Sequence, residues 1–184
     1  MRRLILRGGS RAPAAFAPRP VPGAPGLRVM GIDPGTRRVG YAVVEMAGPG
    51  RPRALAYGVI RTPPDDPIDR RLRHIHETLS ALLAEWAPAS VAVESAFYGR
   101  SVSAALRIGE GRGAALVAAA ARGIPVASYA PSVVKKAVVG NGLAHKRQVM
   151  AMVQVLLGLG PSPIPLDASD ALGIALCHLA RTRA

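Results

Sequence analysis

The spacing of apolar residues along the chain changes between strand-like and helical periods. Three apolar runs at residues 29–33, 39–44 and 55–60 are joined by short polar turns, which predicts three consecutive strands in an antiparallel meander. From residue 68 to residue 86, apolar positions recur at helical spacing with charges on the opposite face. This segment therefore predicts an amphipathic helix that ends before Ala87-Pro88.

The second half of the chain alternates between strands and helices. Short apolar runs at residues 90–94 and 126–129 predict two further strands, and helical spacing predicts helices near 101–122, 132–139, 145–157 and 168–181. Strands interleaved with helices favour an α/β protein. We therefore predict a five-stranded mixed sheet, an antiparallel meander followed by parallel strands, with helices on its faces.

The first 27 residues differ in composition from the rest of the chain. They contain five prolines, five arginines and no acid, and so bury too little apolar area to offset the entropy of ordering. We predict a disordered tail over 1–27 and a single folded domain over 28–184, since 184 residues suit one domain. The tail is also typical of an organelle transit peptide or of a start codon assigned too far upstream.

Charge and cysteine content narrow the class of protein. The chain has 24 Lys and Arg against 11 Asp and Glu, a formal charge of +13, which favours a polyanionic partner such as nucleic acid or an anionic membrane surface. No apolar run approaches the roughly 20 residues of a membrane span, and the run Leu4-Ile5-Leu6 is too brief for the apolar centre of a secretory signal, so we do not expect export. A lone Cys177 excludes an intrachain disulfide and a cysteine-based metal site. We expect a soluble, cytoplasmic protein.

Four of the few acids occur where α/β proteins place ligand sites. Asp33 and Glu94 end the first and fourth predicted strands, and Asp167 and Asp170 open the last helix. Strand ends often share one edge of a sheet, and residues three apart share a helix face. Four converging carboxylates would repel one another unless cations neutralised them. The pattern predicts a site for Mg²⁺ or Mn²⁺ and two-metal phosphodiester hydrolysis.

Each of these acids also has an ordinary structural explanation. Asp167 and Asp170 suit the start of a helix, where carboxylates pair with unsatisfied N–H groups, and Asp33 could open the Pro34-Gly35 turn. Glu94 is harder to explain, because it ends an apolar strand. The four positions together favour catalysis more than any one of them does.

Four motifs, in this order and spacing, resemble the RuvC family of bacterial Holliday-junction resolvases. They are GIDPGT at 31–36, VESAF at 93–97, VVGNG at 138–142 and DASDAL at 167–172. The resemblance covers about residues 28–178 and implies an RNase H-like fold. It also implies that two Mg²⁺ ions are held by the four acids, Asp33, Glu94, Asp167 and Asp170.

The resemblance further implies an activity and its partners. It implies a homodimeric, structure-selective endonuclease that nicks two opposing strands of a four-way DNA junction in recombination and repair. The branch-migration proteins RuvA and RuvB would be its partners, and the bacterial nucleoid its place of action.

Basic residues after the second motif predict a DNA-binding surface. All three lysines lie within an interval that contains no acid, so Lys135, Lys136, Lys146 and Arg147 are predicted to contact the phosphate backbone. A solvated helix face is the alternative. The family resemblance implies junction contacts for Lys135 and Lys146.

Two aromatic residues close to the second motif predict base stacking. Phe97 and Tyr98 are predicted to stack on an unpaired base beside the acids, the alternative being one core and one surface aromatic; the resemblance implies this role for Phe97. Arg100 and Arg107 are predicted to steer phosphates, although Arg107 could equally pair with Glu110.

Other functions fit parts of the sequence. A catalytically silent nucleic-acid-binding module would explain the charge but has no use for four acids. A YqgF-type relative would share the first motif, but those proteins are shorter and lack the later acid motifs. Actin-like and sugar-kinase ATPases need two such domains and many more residues. A protein that binds an acidic partner, with the acids as helix caps and turn formers, is the remaining alternative.

Overall fold

Five strands form the sheet in the described part of the chain. The structure is a computed structural model that describes residues 27–46, 50–95 and 102–182. The strands are β1 (Arg28–Asp33), β2 (Arg38–Met46), β3 (Pro52–Arg61), β4 (Ser90–Glu94) and β5 (Val126–Tyr129). Their order is β3-β2-β1-β4-β5, with β1, β2 and β3 antiparallel and β1, β4 and β5 parallel. The predicted five-stranded mixed sheet is confirmed.

Helices cover both faces of the sheet. The described helices are α1 (Ile68–Trp86), α2 (Val102–Ala120), α3 (Pro131–Val139), α4 (Lys146–Leu157) and α5 (Leu166–Arg181). Side chains of a strand alternate between the faces, so Met30 and Ile32 of β1 pack with α1 and α2, whereas Val29 packs with α5. None of these helices has the length and hydropathy needed to cross a membrane.

Some predictions concern residues that the structure does not describe. Residues 1–26 of the predicted tail lie outside the described ranges, as do Phe97, Tyr98 and Arg100. The tail and the roles predicted for these three side chains therefore stay predictions.

α5 is almost completely buried and lies unusually close to the sheet. Every side chain from Ala168 to Leu179 except Asp170 is buried. A Cβ at Gly31 would lie 2.8 Å from the Ala175 amide nitrogen, and a Cβ at Gly40 would lie 2.5 Å from the carbonyl carbon of Asp167. Glycine at these positions of β1 and β2 lets the backbones approach. The sheet thereby sets the position of the start of α5.

One further acid has a structural role in the meander. The Glu45 side chain on β2 is 1% exposed and accepts hydrogen bonds from Arg28 Nε on β1 (2.9 Å) and from an Arg53 guanidinium nitrogen on β3 (3.1 Å). A buried carboxylate is tolerated when cations and hydrogen bonds compensate for its lost hydration. Glu45 therefore joins three strands at a distance from the four predicted site acids.

Candidate active site

Asp33 lies at the carboxyl end of the central strand, and the turn that follows it is anchored. The Thr36 carbonyl accepts hydrogen bonds from Thr62 Oγ1 (2.8 Å) and Arg71 Nε (3.1 Å), both on buried residues. Gly111 of α2 packs directly on the Gly35 carbonyl. These contacts join the turn to the residue that follows β3, to α1 and to α2, and so restrain the backbone after Asp33.

Glu94 ends the neighbouring parallel strand and forms a hydrogen bond with Asp33. Burial, together with the charges of Glu94 and Asp170, raises the pKa of Asp33 to about 8. Burial also raises the pKa of Glu94, although its hydrogen bond with Asp33 opposes that rise. Two carboxyl groups can share a hydrogen bond only if one of them carries a proton. A shared proton thus offsets part of the crowding of negative charge.

The negative charge of Asp170 is balanced by a lysine. Lys146 Nζ, at the start of α4, lies 2.7 Å from Asp170 Oδ2. The hydrogen bond with Asp170 raises the pKa of Lys146 despite its partial burial, and the charges of Asp33 and Glu94 act in the same direction. Lys146 therefore donates to the acidic cluster in this structure, whereas the sequence predicted a phosphate contact for it.

Asp167 lies at the same edge of the sheet as Asp33. Its backbone packs on Gly40, the register partner of Asp33. The N-cap of α5 is Pro165, which makes no side-chain cap hydrogen bond. Neither Asp167 nor Asp170 is therefore the N-cap residue, but Asp167 lies in the first turn of α5, where the helix dipole favours an acid.

An open pocket of about 430 Å³ lies beside these acids. Two of the acids, two lysines and four apolar residues line it. They are Glu94, Asp170, Lys135, Lys146, Pro131, Val134, Val149 and Ile174. Its two lysines, Lys135 and Lys146, project from α3 and α4. A polyanion that entered this pocket would meet both ammonium groups and the carboxylates.

Other predicted DNA contacts lie elsewhere. Lys136 follows Lys135 in α3, and Arg147 follows Lys146 in α4. Both side chains are exposed, and neither is part of the pocket lining. Arg107 on α2 is exposed, and its Nε donates to the Ser103 carbonyl at 3.1 Å. The alternative pairing of Arg107 with Glu110 is not among the ion pairs of the described residues.

The donor set suits a hard divalent cation, although the side chains are not arranged around one. Within the described ranges, no three side chains of His, Cys, Asp or Glu are spaced as ligands of one metal ion. The convergent groups are carboxylates, which prefer Mg²⁺ or Mn²⁺, and a proton and an ammonium group now offset their charge. A metal ion could replace both, and the residues therefore fit the predicted metal.

A group of hydrogen-bonded side chains that the sequence did not predict connects α5 to β4 and β5. His178 of α5 bonds to Ser90 and Tyr129, at opposite ends of β4 and β5. The signal in the sequence was the spacing of Asp170, Ile174 and His178, which places them on one helix face. The pairing with Tyr129 required the register of β5.

The raised pKa of Asp33 predicts how stability responds to pH and metal. Folding raises this pKa from 3.8 to about 8, so the contribution to stability is full below about pH 4 and is lost as the pH rises through about 8. Because a metal ion competes with this proton, added Mg²⁺ should raise the thermal midpoint more at about pH 8.5 than at about pH 6.5.

Thermal unfolding at both pH values, with Mg²⁺ or with EDTA, measures this effect. Asp33→Asn is the control, and it should remove most of both the pH dependence and the metal response. An equal Mg²⁺ shift at the two pH values would contradict the coupled site.

Comparison with known proteins places this site in a family. Residues 29–178 match the family model described as crossover junction endodeoxyribonuclease RuvC. A protein of that name from Syntrophomonas wolfei is 48% identical over 153 residues, which are 83% of this chain and 88% of the relative.

Solved structures agree with this match. The Thermus thermophilus RuvC structure has a TM-score of 0.80 and 40% identity over 85% of this chain and 96% of its own. A second structure, of T. thermophilus RuvC in complex with Holliday junction substrate, has a TM-score of 0.81 and 40% identity, covering 85% of this chain and 95% of that one. The chain therefore belongs to the RuvC family of crossover junction endodeoxyribonucleases.

Proposed function

We propose that this chain is a structure-selective endonuclease that resolves Holliday junctions in recombination and repair. The observation that carries the proposal is the convergence of Asp33, Glu94 and Asp170 beside a pocket with Lys135 and Lys146, in a chain of this family. Carboxylates alone would repel a DNA phosphate, and lysines alone would only bind it. The combination suits cleavage of a bound phosphodiester.

The family is one of metal-dependent nucleases, and we propose two Mg²⁺ ions, with Mn²⁺ able to substitute. Asp33, Glu94, Asp167 and Asp170 would hold them. When bound, the metals would activate water and stabilise the leaving oxygen. The chain itself holds Asp33 and Glu94 at the ends of paired strands and contributes Lys135 and Lys146 to the pocket lining. Asp33 would release its proton on metal binding, and Lys146 would become free to contact phosphate.

Contacts with the junction are assigned from exposure and charge. Lys135 and Lys146 would hold the phosphates next to the scissile bond, and the exposed Lys136, Arg147 and Arg107 would contact the backbone further away. Phe97, Tyr98 and Arg100 follow Glu94 in the sequence, and we propose that an aromatic ring there stacks on an unpaired base.

Cleavage of two opposing strands requires two sites, so we propose a homodimer. The alanines Ala115, Ala118 and Ala119 of the Ala-rich segment 114–121 are fully buried inside the chain, which removes them as a dimer surface. On α2, Leu106 and Val117 are 64% and 58% exposed and offer an apolar face to a partner copy.

Partner proteins, cellular location and the extent of the nuclease domain complete the proposal. We propose that RuvA and RuvB cooperate with the dimer and that it acts on DNA in the bacterial cytoplasm, at the nucleoid. The activity would reside in residues 28–184, with residues 1–27 as a separate tail. The extent of the family match, residues 29–178, supports this division.

The function is tested with a labelled four-way DNA junction and a linear duplex of the same sequence, each with Mg²⁺, Mn²⁺ or EDTA. Paired metal-dependent nicks in the junction, and none in the duplex, are expected. Tight junction binding without cleavage in either metal, across several junction sequences, would identify a binding module instead.

Lys135→Ala should weaken junction binding and reduce its salt dependence. Each phosphate contact contributes about 0.9 to the slope of log K against log salt, so the slope should fall by about that amount. Fluorescence titration with a junction at several salt concentrations measures it. Arg122→Ala is the control, because Arg122 is exposed in the turn before β5, at the opposite end of that strand. An unchanged slope for Lys135→Ala would remove Lys135 from the DNA surface.

A further inference from the structure

His178 joins two strands through both of its ring nitrogens. Nε2 lies 2.9 Å from Ser90 Oγ, at the start of β4, and Nδ1 lies 2.7 Å from the Tyr129 hydroxyl, at the end of β5. The residue is 7% exposed, and burial lowers the pKa of its ring. A neutral imidazole donates through one nitrogen and accepts through the other. Both nitrogens are therefore satisfied by these two hydroxyl groups.

The Tyr129 end of this network adjoins the active site, whereas the Ser90 end does not. Tyr129 is the register partner of Glu94, and its carbonyl accepts a hydrogen bond from the Ser95 amide at 2.8 Å. Two residues later α3 begins at Pro131, and both Pro131 and Lys135 line the pocket. The position of Tyr129 thus affects both Glu94 and the start of α3.

The other side of the network is the helix that carries Asp170. Asp170, Ile174 and His178 follow one another at intervals of four residues and so share a face of α5. The first two line the pocket. The Tyr129–His178 hydrogen bond therefore connects α5 to the carboxyl ends of β4 and β5. These are the elements that carry Asp170 and Glu94.

β5 depends on such a connection more than the inner strands do. It has four residues and lies at the edge of the sheet, where β4 is its one partner among the described strands. A short edge strand has half of the backbone pairing of an inner strand. A side-chain bond from its last residue to a buried helix limits how far its carboxyl end can move from α5.

We infer that Tyr129 and His178 are positioning residues of the acidic site. Their hydrogen bond sets the separation between Glu94 and Asp170, and thereby the geometry in which the carboxylates receive a metal ion. This inference rests on the proposed function, because it concerns the same four acids. Neither residue is part of the pocket lining, and the bond to Ser90 holds the imidazole ring in place.

The two hydroxyl partners of His178 provide a matched pair of variants. Tyr129→Phe and Ser90→Ala each remove one hydrogen bond from the same ring, so both should lower the thermal midpoint by a similar amount. Only Tyr129→Phe releases the strand end beside Glu94. It should weaken Mg²⁺ binding and lower kcat, each on the order of tenfold, as for other groups that orient metal ligands. Ser90→Ala should stay close to the original protein in both.

Substitutions at His178 test its two hydrogen bonds one at a time. The amide of His178→Asn reaches the position of Nδ1 and should keep the contact with Tyr129, whereas that of His178→Gln reaches the position of Nε2 and should keep only the contact with Ser90. We expect His178→Asn to resemble Ser90→Ala, and His178→Gln to resemble Tyr129→Phe. Tyr57→Phe, on an exposed tyrosine of β3, controls for the loss of a hydroxyl.

The measurements are Mg²⁺ binding by calorimetry without DNA, single-turnover junction cleavage, and thermal unfolding. Equal metal affinity for Tyr129→Phe and Ser90→Ala, with the unaltered protein cleaving junctions, would overturn the inference and leave the function intact. A difference in metal affinity without cleavage by the unaltered protein would support positioning and reject the proposed function. Should Tyr129→Phe fail to fold, the comparison of His178→Asn with His178→Gln decides.

Discussion

Asp33→Asn should lower the rate of junction cleavage by about 10³-fold or more while junction binding persists. Burial and neighbouring carboxylates raise the pKa of Asp33 to about 8, which marks it as a strongly perturbed acid. An asparagine cannot supply the negative charge that a divalent cation requires, and the loss of one preorganised electrostatic group at a reacting centre costs about 10²- to 10³-fold. Loss of a metal ligand adds to that cost.

Binding should be retained because the groups proposed to hold the DNA phosphates are lysines, and an asparagine at position 33 carries no negative charge at any pH. Lys135 and Lys146 stay in the pocket, so the junction affinity should be equal to or higher than that of the original protein. Single-turnover cleavage and a gel-shift titration measure the two effects separately. Asp65→Asn, on an exposed acid outside the site, should change neither. Cleavage by Asp33→Asn at the original rate would reject Asp33 as a catalytic residue.

Gly40→Ala should both destabilise the protein and impair its site. The new methyl group would overlap the carbonyl oxygen of Asp167 and lie 2.5 Å from its carbonyl carbon. Because these are backbone atoms, the start of α5 must move away from β2. Overpacking of this kind costs about 1–3 kcal/mol, and backbone contact places this case at about 3 kcal/mol or above. The movement would carry Asp167 and Asp170 away from Asp33.

Denaturant unfolding and Mg²⁺-dependent cleavage measure the two consequences of Gly40→Ala. Gly109→Ala is the matched control, since a Cβ at Gly109 meets nothing within 4 Å and alanine stabilises a helix by about 1 kcal/mol relative to glycine. That variant should be as stable as the original protein, or more so, and fully active. A Gly40→Ala protein of unchanged stability would show that α5 is not held against β2 as described.

The strands and helices could be predicted from the sequence because each has a strong local period. α1 (Ile68–Trp86) matches the predicted helix, and its apolar positions Ile75, Leu79 and Leu83 are buried at the expected spacing. The start of β3, at Pro52, could not be predicted, since the strand lies at the sheet edge and most of its residues are only partly buried.

The site could be predicted in part. Asp33 and Glu94 were recognisable as acids at strand ends, and they lie together because β1 and β4 pair in parallel. The partner of each charge could not be predicted. Lys146 stood out as a DNA contact, yet its ammonium group lies on Asp170, 24 residues away. Such a pairing depends on how α4 packs beside α5, which no local pattern encodes.

By itself, the sequence determined the periodic elements, the excess of positive charge and the four acids at the ends of strands and at the start of a helix, since these depend on residue type and local spacing. Only the tertiary structure decided that Gly40 admits the start of α5, that burial beside Glu94 raises the pKa of Asp33, and that His178 joins Tyr129 to Ser90. The physical reason is that close approach, burial and hydrogen bonding act between residues distant in the chain.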